Sequence, residues 1–528
     1  MKARLDLVIV GAGFAGMYML HRARRLGLTA QVLEAASGVG GTWYWNRYPG
    51  ARCDVESMEY SYQFDEALQQ EWRWSERFAT QPEILRYANH VADRFDLRKD
   101  IRFDTRVVAA SFADGRWIVR TDKADEVSAQ FLVMATGCLS TANRPDIPGF
   151  GEFRGAVYHT GEWPHEEPDF KGKRVGVIGT GSSAIQSIPL IAARAKQLFV
   201  FQRTANYTVP AKNAPLNPDF AARIKADYPA FRARNSLQIN AFGSNMPRSP
   251  TPARELSPAA RRAALEARWE YGGLFFLGAF GDVLLDKAAN DEAADFVREK
   301  IRGVVTDPEV ARLLSPRQII GCKRLCVDTD YYATFNRPNV RLVDISKEGI
   351  ERITPDGVRA NGGSFTLDAL VFATGFDAMT GTLLRIDIRG RDGRTLREAW
   401  KVGPRTYLGL SVAGFPNLFL VTGPGSPSVL TNMIVSIEQH VNWIGDCIAH
   451  LGKSGRTTIE ARPDAQAAWV EHVNAVADRT LYPMCNSWYV GANIPGKTRV
   501  FMPLLGYPAY VEKCNEVAAG GYEGFQTN

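Results

Sequence analysis

A strand, a glycine-rich turn and a helix occur twice in this chain, and no other feature narrows its fold so far. The first unit runs from apolar Leu7 to Val10 into Gly11-Ala12-Gly13-Phe14-Ala15-Gly16. It continues with apolar residues at helical spacing to Gly27, and returns through the run Ala30 to Leu33 to Glu34. The second runs from Arg174 to Ile178 into Gly179-Thr180-Gly181-Ser182-Ser183-Ala184, a helical stretch to about Lys196, and the run Leu198 to Phe201. In a nucleotide-binding βαβ unit the first glycine permits the tight turn and the second lets backbone approach a pyrophosphate. The third lets helix and strand pack closely, and the phosphate then meets a helix N-terminus. A G-x-G-x-x-G alone means little. With a strand before it, a helix after it and Glu34 placed to accept hydrogen bonds from ribose hydroxyls, the first unit reads as a dinucleotide site of the FAD type.

The second unit ends in Ala184, which the pattern tolerates, and carries Arg203 where an acid would stand. A carboxylate there would repel a 2′-phosphate, whereas a guanidinium holds one bidentately, so the second site predicts NADP(H) rather than NAD(H). Two apolar segments, Phe131 to Gly137 and Leu370 to Gly375, both end in Ala-Thr-Gly. Taken alone they are buried strands with a turn glycine, and their placement after each unit fits an architecture of two linked nucleotide domains.

At 528 residues the chain exceeds one ordinary domain, and with 45% hydrophobic and 23% charged residues it has the composition of a folded protein. The excess of 63 basic over 57 acidic residues is small and spread out, so nucleic acid is not implied; Arg22, Arg24 and Arg25 read as a solvated helix end. Seven cysteines, odd in number and mostly far apart, predict reduced thiols; Cys322 and Cys326 lack a second Cys/His pair to close a metal site and read as structural. Lys2 and Arg4 before an apolar stretch imitate a secretory signal, but Asp6 and three glycines interrupt it. No window reaches the roughly 18 to 20 apolar residues of a membrane span. The expectation is a soluble, cytoplasmic protein without metal and with no implied protein partner. Between about Ala211 and Lys300 the texture turns Ala-, Arg- and Glu-rich, as in Ser257 to Tyr271, which predicts a helical insertion. Strand-like runs resume at Val340 to Val343, Ala369 to Ala373 and Leu418 to Val421.

Directly before the second unit stands Phe153-x-Gly155-x-x-x-His159-x-x-x-Trp163-Pro164, a spacing that chance would give in roughly one sequence in tens of thousands. Gly40-Gly41-Thr42-Trp43, then Tyr48-Pro49-Gly50 and Asp54, form a second group. Both resemble segments of type I Baeyer–Villiger flavoprotein monooxygenases, with the branch of phenylacetone and steroid monooxygenases the nearest likeness, and the resemblance covers essentially the whole chain.

The resemblance implies an α/β fold of two Rossmann-like domains, for FAD and NADP, with a helical insertion. The expected divisions are 1–142 and 376–528 for FAD, 143–210 and 326–375 for NADP, and 211–325 for the insertion. The implied activity is insertion of one oxygen atom from O2 beside a ketone carbonyl, through a C4a-peroxyflavin, to give an ester or lactone. Arg324, in Gly321-Cys322-Lys323-Arg324-Leu325, matches the active-site arginine and Asp54 the acid that orients it. A fixed guanidinium stabilises developing oxyanions without delivering a proton. Besides the Gly11, Gly13, Phe14, Ala15, Gly16 turn and Glu34, the implied FAD contacts are Gly41, Thr42, Trp43, Asp54, Tyr60, Val107 and Met433. For NADP they are Arg52, Thr180, Gly181, Ser182, Ser183, Ala184, Arg203, Thr204, Lys323 and Trp488, with Arg203 and Lys323 on the 2′-phosphate. A largely apolar set, Cys138, Leu139, Ser428, Val429, Leu430 and Met433, is implied for the ketone. His159 and Trp163 are expected to couple domain position to catalysis rather than touch substrate.

An N- or S-oxygenating flavin monooxygenase shares both nucleotide folds, but its related fingerprint lacks the Trp163-Pro164 ending and its chemistry needs no Arg324 segment. A disulfide reductase would need a redox Cys-x-x-Cys or Cys-x4-Cys near the flavin, and none is present. A non-catalytic flavin sensor would show no ketone-stimulated NADPH oxidation.

Overall fold

The computed structural model describes residues 4–528; Lys2, part of the basic N-terminal end, lies outside them. The first glycine unit forms strand Arg4–Val10, helix Phe14–Arg25 and strand Ala30–Leu33. Strand Arg4–Val10 is buried at Leu7, Val8 and Ile9, and pairs in parallel with Ala30–Leu33 on one side and Glu126–Met134 on the other. This near-continuous apolar run suits a parallel strand covered on both faces. Eight strands make up the sheet, with Val107–Ala113 and Arg116–Thr121 added antiparallel and Leu418–Leu420 pairing with Glu126–Met134.

The second unit gives strand Arg174–Ile178, helix Ser182–Arg194 and strand Gln197–Gln202, the centre of a five-stranded, all-parallel sheet. Ala369–Phe372 lies beside Arg174–Ile178, and Ala156–His159, the strand of the fingerprint, takes the edge. The two sheets organise separate apolar cores.

The strands Thr208–Pro210 and Cys326–Asp328 pair in parallel and bracket the helices Pro218–Ala226, Tyr228–Ser236, Pro258–Tyr271, Lys287–Val304 and Pro308–Leu314. No strand lies between 211 and 325 among the described residues. No helix among them is long and apolar enough to cross a membrane.

The insertion docks through a buried polar cluster. Arg232, on helix Tyr228–Ser236, donates to the Glu59 carbonyl at 2.9 Å and the Ser61 hydroxyl at 2.7 Å, while the Glu59 carboxyl accepts from the Gly243 N–H at 2.8 Å. Glu438 accepts from the N–H groups of Gln63 and Phe64. Burial pushes the Glu59 carboxyl up to about 8, helped by the charge of Glu56, and pushes Glu438 up to about 7. Because both carboxyls bind protons more tightly in the fold than in an unfolded chain, they cost nothing below about pH 4.5. Their penalty grows as pH rises through the folded values. Glu59→Gln, which keeps the acceptor for Gly243, is expected to raise the thermal midpoint by a few degrees at pH 8. At pH 4.5 it should leave the midpoint nearly unchanged. Thermal melts of both proteins at the two pH values check this, and an equal shift at both contradicts it.

The expectation of reduced thiols fails at one pair. Cys322 and Cys485, with Cα atoms 5.5 Å apart, form a disulfide; folding brings together residues that the chain separates by 163 positions. Cys53, Cys138, Cys326, Cys447 and Cys514 are free and buried.

Candidate active site

Where the two sheets approach, one continuous cavity of about 2170 Å³ opens. Sites for a single drug-sized ligand span roughly 300–1,000 Å³, so this one has room for more than one large molecule.

Its floor is the first glycine turn. Gly11 sits at φ +106°, and a Cβ there would fall 2.6 Å from the Ala135 carbonyl oxygen; a Cβ on Gly16 would fall 1.8 Å from the Gly11 oxygen. Gly179 repeats the arrangement in the second unit, with φ +117° and a Cβ position 2.4 Å from the Ala373 oxygen. The two Ala-Thr-Gly segments are therefore equivalent: each turns its alanine carbonyl against the first glycine of its own unit. Gly16 and Ala184 pack between helix and strand and do not line the cavity, whereas Gly11, Gly13, Phe14, Ala15, Thr180, Gly181, Ser182 and Ser183 do.

Glu34 is buried, and its carboxylate accepts from Ala12 N–H at 2.5 Å and Ala36 N–H at 2.7 Å. Burial raises its pKa and these two backbone donors oppose the rise. It braces the turn and borders the cavity. Gly41, Thr42, Trp43, Tyr60, Val107 and Met433 line the same region, where Trp43 Nε1 donates to the Tyr60 hydroxyl at 3.1 Å.

Arg203, Thr204, Arg52, Lys323 and Trp488 line the part nearer the second unit. Burial lowers the pKa of Lys323, and the charge of Arg203 lowers it further, which places two cations close together. Neither has an ion-pair partner among the described residues, whereas Arg52 donates to Glu76 at 2.9 Å and to the Phe78 carbonyl at 3.1 Å.

Between the two regions stands Arg324. Its Nε and Nη2 donate to the two carboxylate oxygens of Asp54 at 2.8 and 2.9 Å, and Nη1 donates to the Val429 carbonyl at 2.8 Å. Burial opposes its charge, but the charge of Asp54 and its hydrogen bonds outweigh this and hold the guanidinium above its ordinary value. A guanidinium has five N–H donors. Three are committed and two remain on a side chain that borders the cavity, enough to receive an oxyanion.

Cys138, Leu139, Val429 and Met433 border the cavity, and Cys138 is raised to about 11 by burial, so its thiol stays protonated. Ser428 and Leu430, expected beside them, do not reach it. Ser428–Leu430 is a single 3₁₀ turn, whose successive side chains point about 120° apart, and only Val429 faces inward. The Ser428 hydroxyl donates to the Thr422 carbonyl at 3.1 Å instead.

No fingerprint residue from Phe153 to Pro164 that the sequence singles out lines this cavity. His159 is buried; its Nδ1 accepts from Gly161 N–H at 2.9 Å, leaving Nε2 to donate toward the Asn143 carbonyl and the Thr374 hydroxyl, both at 3.3 Å. Burial lowers its pKa and favours this neutral form. Asn143 and Thr374 lie on the two crossovers between the sheets, which are tied together by Asn143 N–H to Gly375 O and Asp377 N–H to Thr141 O. Trp163 donates its N–H to the Trp45 carbonyl, and Thr160 and Ser183 hydrogen-bond through their hydroxyls at 2.9 Å. Sequence reasoning missed these contacts: those between the crossovers join residues more than 200 positions apart, as His159 and Thr374 at 215, and Thr160, 23 positions from Ser183, is not a position of the fingerprint.

Residues 8–241 match the family model described as pyridine nucleotide-disulphide oxidoreductase. A Baeyer–Villiger monooxygenase of Pseudooceanicola batsensis is 43% identical over 98% of this chain and 96% of its own. An acetone monooxygenase (methyl acetate-forming) of Gordonia sp. is 43% identical over 99% of this chain and 98% of its own. A phenazine N-monooxygenase of Lysobacter antibioticus is 41% identical over 99% and 97%. Among solved structures, an oxidized steroid monooxygenase bound to NADP superposes with a TM-score of 0.95 at 55% identity, covering 99% of both chains. A complex with FAD and NADP superposes at 0.96 with 40% identity over the full length of both.

Proposed function

We infer the working of this site from the family to which the chain belongs, the Baeyer–Villiger monooxygenases: it is an FAD- and NADPH-dependent enzyme that inserts one oxygen atom from O2 next to a ketone carbonyl. The observation that carries the residue-level reading is the Asp54–Arg324 pair, with two N–H groups uncommitted, in a cavity shared by two dinucleotide folds.

The residues present fit both cofactors. The missing Cβ atoms at Gly11 and Gly16 let the first turn pack tightly against Ala135 and on itself, so that Gly11 and Gly13 present bare backbone to the cavity where a pyrophosphate would lie, and the cavity volume accommodates two dinucleotides. FAD would be held by Gly11, Gly13, Phe14 and Ala15, by Glu34 on the ribose side, and by Gly41, Thr42, Trp43, Tyr60, Val107 and Met433. NADP would be held by Thr180 to Ser183, with Arg203 and Lys323 on the 2′-phosphate and Arg52, Thr204 and Trp488 along its length. When bound and reduced by NADPH, FAD supplies the electrons that activate O2. Arg324 then offers its uncommitted N–H groups to the carbonyl oxygen as that oxygen gains negative charge, and Asp54 keeps the fork from rotating away. Being permanently charged, the guanidinium stabilises the anion without protonating it. Cys138, Leu139, Val429 and Met433 surround the ketone with mostly apolar surface and exclude water. His159 holds the two crossovers together and acts on the reaction through domain position.

We assign 1–142 and 376–528 to an FAD domain, 143–210 and 326–375 to an NADP domain, and 211–325 to a helical insertion; the separate sheets and the strand pair bracketing the helices support the division. A supply of NADPH supports a cytoplasmic location. The second reading, N- or S-oxygenation, draws on the phenazine N-monooxygenase relative. Purified yellow protein is screened with linear, aryl and cyclic ketones, amines and sulfides for NADPH consumption, with products identified by mass. Ketone-stimulated oxidation with a product one oxygen heavier supports the first reading; heteroatom oxides with no ester or lactone would replace it.

A further inference from the structure

Beyond Trp488 the chain makes a loop with a single 3₁₀ turn, Trp488–Val490, and otherwise irregular backbone as far as the helix Tyr507–Ala519. Asn486, Ser487, Trp488, Ala492, Asn493 and Pro495 all border the cavity. The loop carries turn hydrogen bonds of its own, as from Gly491 N–H to Trp488 O and Ala492 N–H to Ser487 O, and further on Met502 O accepts from Gly425 N–H while Leu504 N–H donates to Ser426 O. Between these anchors it needs a tie to the crossover if its position is to follow the domains.

Two side chains make that tie, and both reach the same place. Lys497 Nζ donates to the Asp377 carboxylate at 2.6 Å and to the Ala378 carbonyl at 2.8 Å, and Asn493 Nδ2 donates to the Phe376 carbonyl at 2.7 Å. Residues 376–378 belong to the crossover returning from the second sheet. Asp377 N–H is bonded to Thr141 O, and Met379 N–H to Cys138 O, on the outgoing crossover. The Phe376 ring meets the His159 ring edge-on with centroids 6.5 Å apart. A chain of direct contacts thus runs from His159 through Phe376 and Asp377 to Asn493 and Lys497, and so to Trp488. The lysine side chain is 14% exposed and that of Asp377 27%, so the pair is much less screened than a surface ion pair.

We propose that Lys497 and Asp377 are positioning residues that latch the Trp488 loop onto the inter-domain crossover, so that closure of the loop over bound NADP⁺ depends on the domain position His159 fixes. Neither residue touches reacting atoms. With the latch made, Trp488 stays against the cavity and the nucleotide leaves slowly; with it broken, the middle of the loop is no longer tied to the crossover and bound NADP⁺ leaves faster. This rests on the Baeyer–Villiger reading for the identity of the nucleotide.

The test uses the FAD-loaded enzyme without ketone. NADP⁺ dissociation constants are measured by flavin absorbance titration, and chymotryptic cutting at Trp488 and Tyr489 is followed with and without NADP⁺. Lys497→Met and Asp377→Asn should each weaken NADP⁺ about 5- to 20-fold, the scale of a typical coupling between sites, and each should speed cutting in the presence of NADP⁺. The exchanged pair Lys497→Asp with Asp377→Lys should return affinity to within about threefold of wild type, a rescue that general damage to the fold cannot give. Should the exchanged protein fail to fold, Lys497→Arg, which keeps the charge, must stay within about threefold. Single variants with unchanged affinity and cutting, or a conservative variant as weak as the neutral one, would overturn the latch. Because neither readout involves oxygen transfer, a chain that binds NADP⁺ this way but fails to oxygenate ketones would refute the functional reading and leave the latch standing.

Discussion

Arg324→Ala is expected to retain FAD and still oxidise NADPH, while ester or lactone formation falls by about 10²- to 10³-fold, the usual cost of losing a preorganised donor to a developing oxyanion. FAD retention follows from geography: the glycine turn at Gly11 to Gly16 and Glu34 are braced by their own backbone contacts and do not depend on Arg324. The electrons of NADPH would then still reduce O2, but no oxygen atom would be passed to the ketone and the reduced oxygen would leave as hydrogen peroxide. Arg324→Lys should recover only part of the loss, because a single ammonium cannot span both Asp54 oxygens and the Val429 carbonyl, as the guanidinium does at 2.8 to 2.9 Å. Oxygen uptake, peroxide and ester counted per NADPH consumed decide the matter. Ester formed by the alanine variant at near wild-type yield would remove Arg324 from the mechanism.

Coenzyme choice carries the second large effect. Arg203→Ala should raise the KM for NADPH by about 10- to 150-fold, corresponding to a charge-assisted contact of roughly 1.5–3 kcal/mol, and leave the KM for NADH within about threefold. Lys323→Ala should act in the same direction. Their effects should not add, since the charge of Arg203 acts directly on Lys323 and the two share one site. The depressed pKa of Lys323 adds a pH signature with a definite sign. In the free enzyme Lys323 gives up its charge at lower pH than an ordinary lysine, so preference for NADPH over NADH should shrink as pH rises, and shrink less in Lys323→Ala. Parallel losses with both coenzymes would show that these residues shape the fold of the site and do not read the phosphate.

The local pattern was enough for the two nucleotide units. Leu7 to Val10 and Arg174 to Ile178 are short apolar runs that end in glycine, and such a strand can be buried on both faces only in a parallel sheet with a helix following. The fold class, the cofactor pair and the family were legible for this reason: the signals lie within some thirty consecutive residues, where spacing and geometry are tied by the covalent chain. The Ala-rich texture after Ala211 likewise announced helices.

What spacing could not carry is any contact whose partners are far apart in the chain. The bidentate Asp54–Arg324 pair joins residues 270 positions apart, and the resemblance could name its members without giving the two N–H groups left over. Neither the equivalence of the Ala135 and Ala373 carbonyls nor the pairing of Cys322 with Cys485 has a local signature. Ser428 and Leu430 show the converse limit. Adjacent residues in sequence were read as one lining, and a single 3₁₀ turn gave the cavity only Val429. The sequence by itself determined which elements form and which chemistry they serve, because periodicity and turn stereochemistry act over a few residues. Only the tertiary structure decided which side chains face one another across the cavity, because orientation there is set by the packing of two sheets and the crossovers that join them.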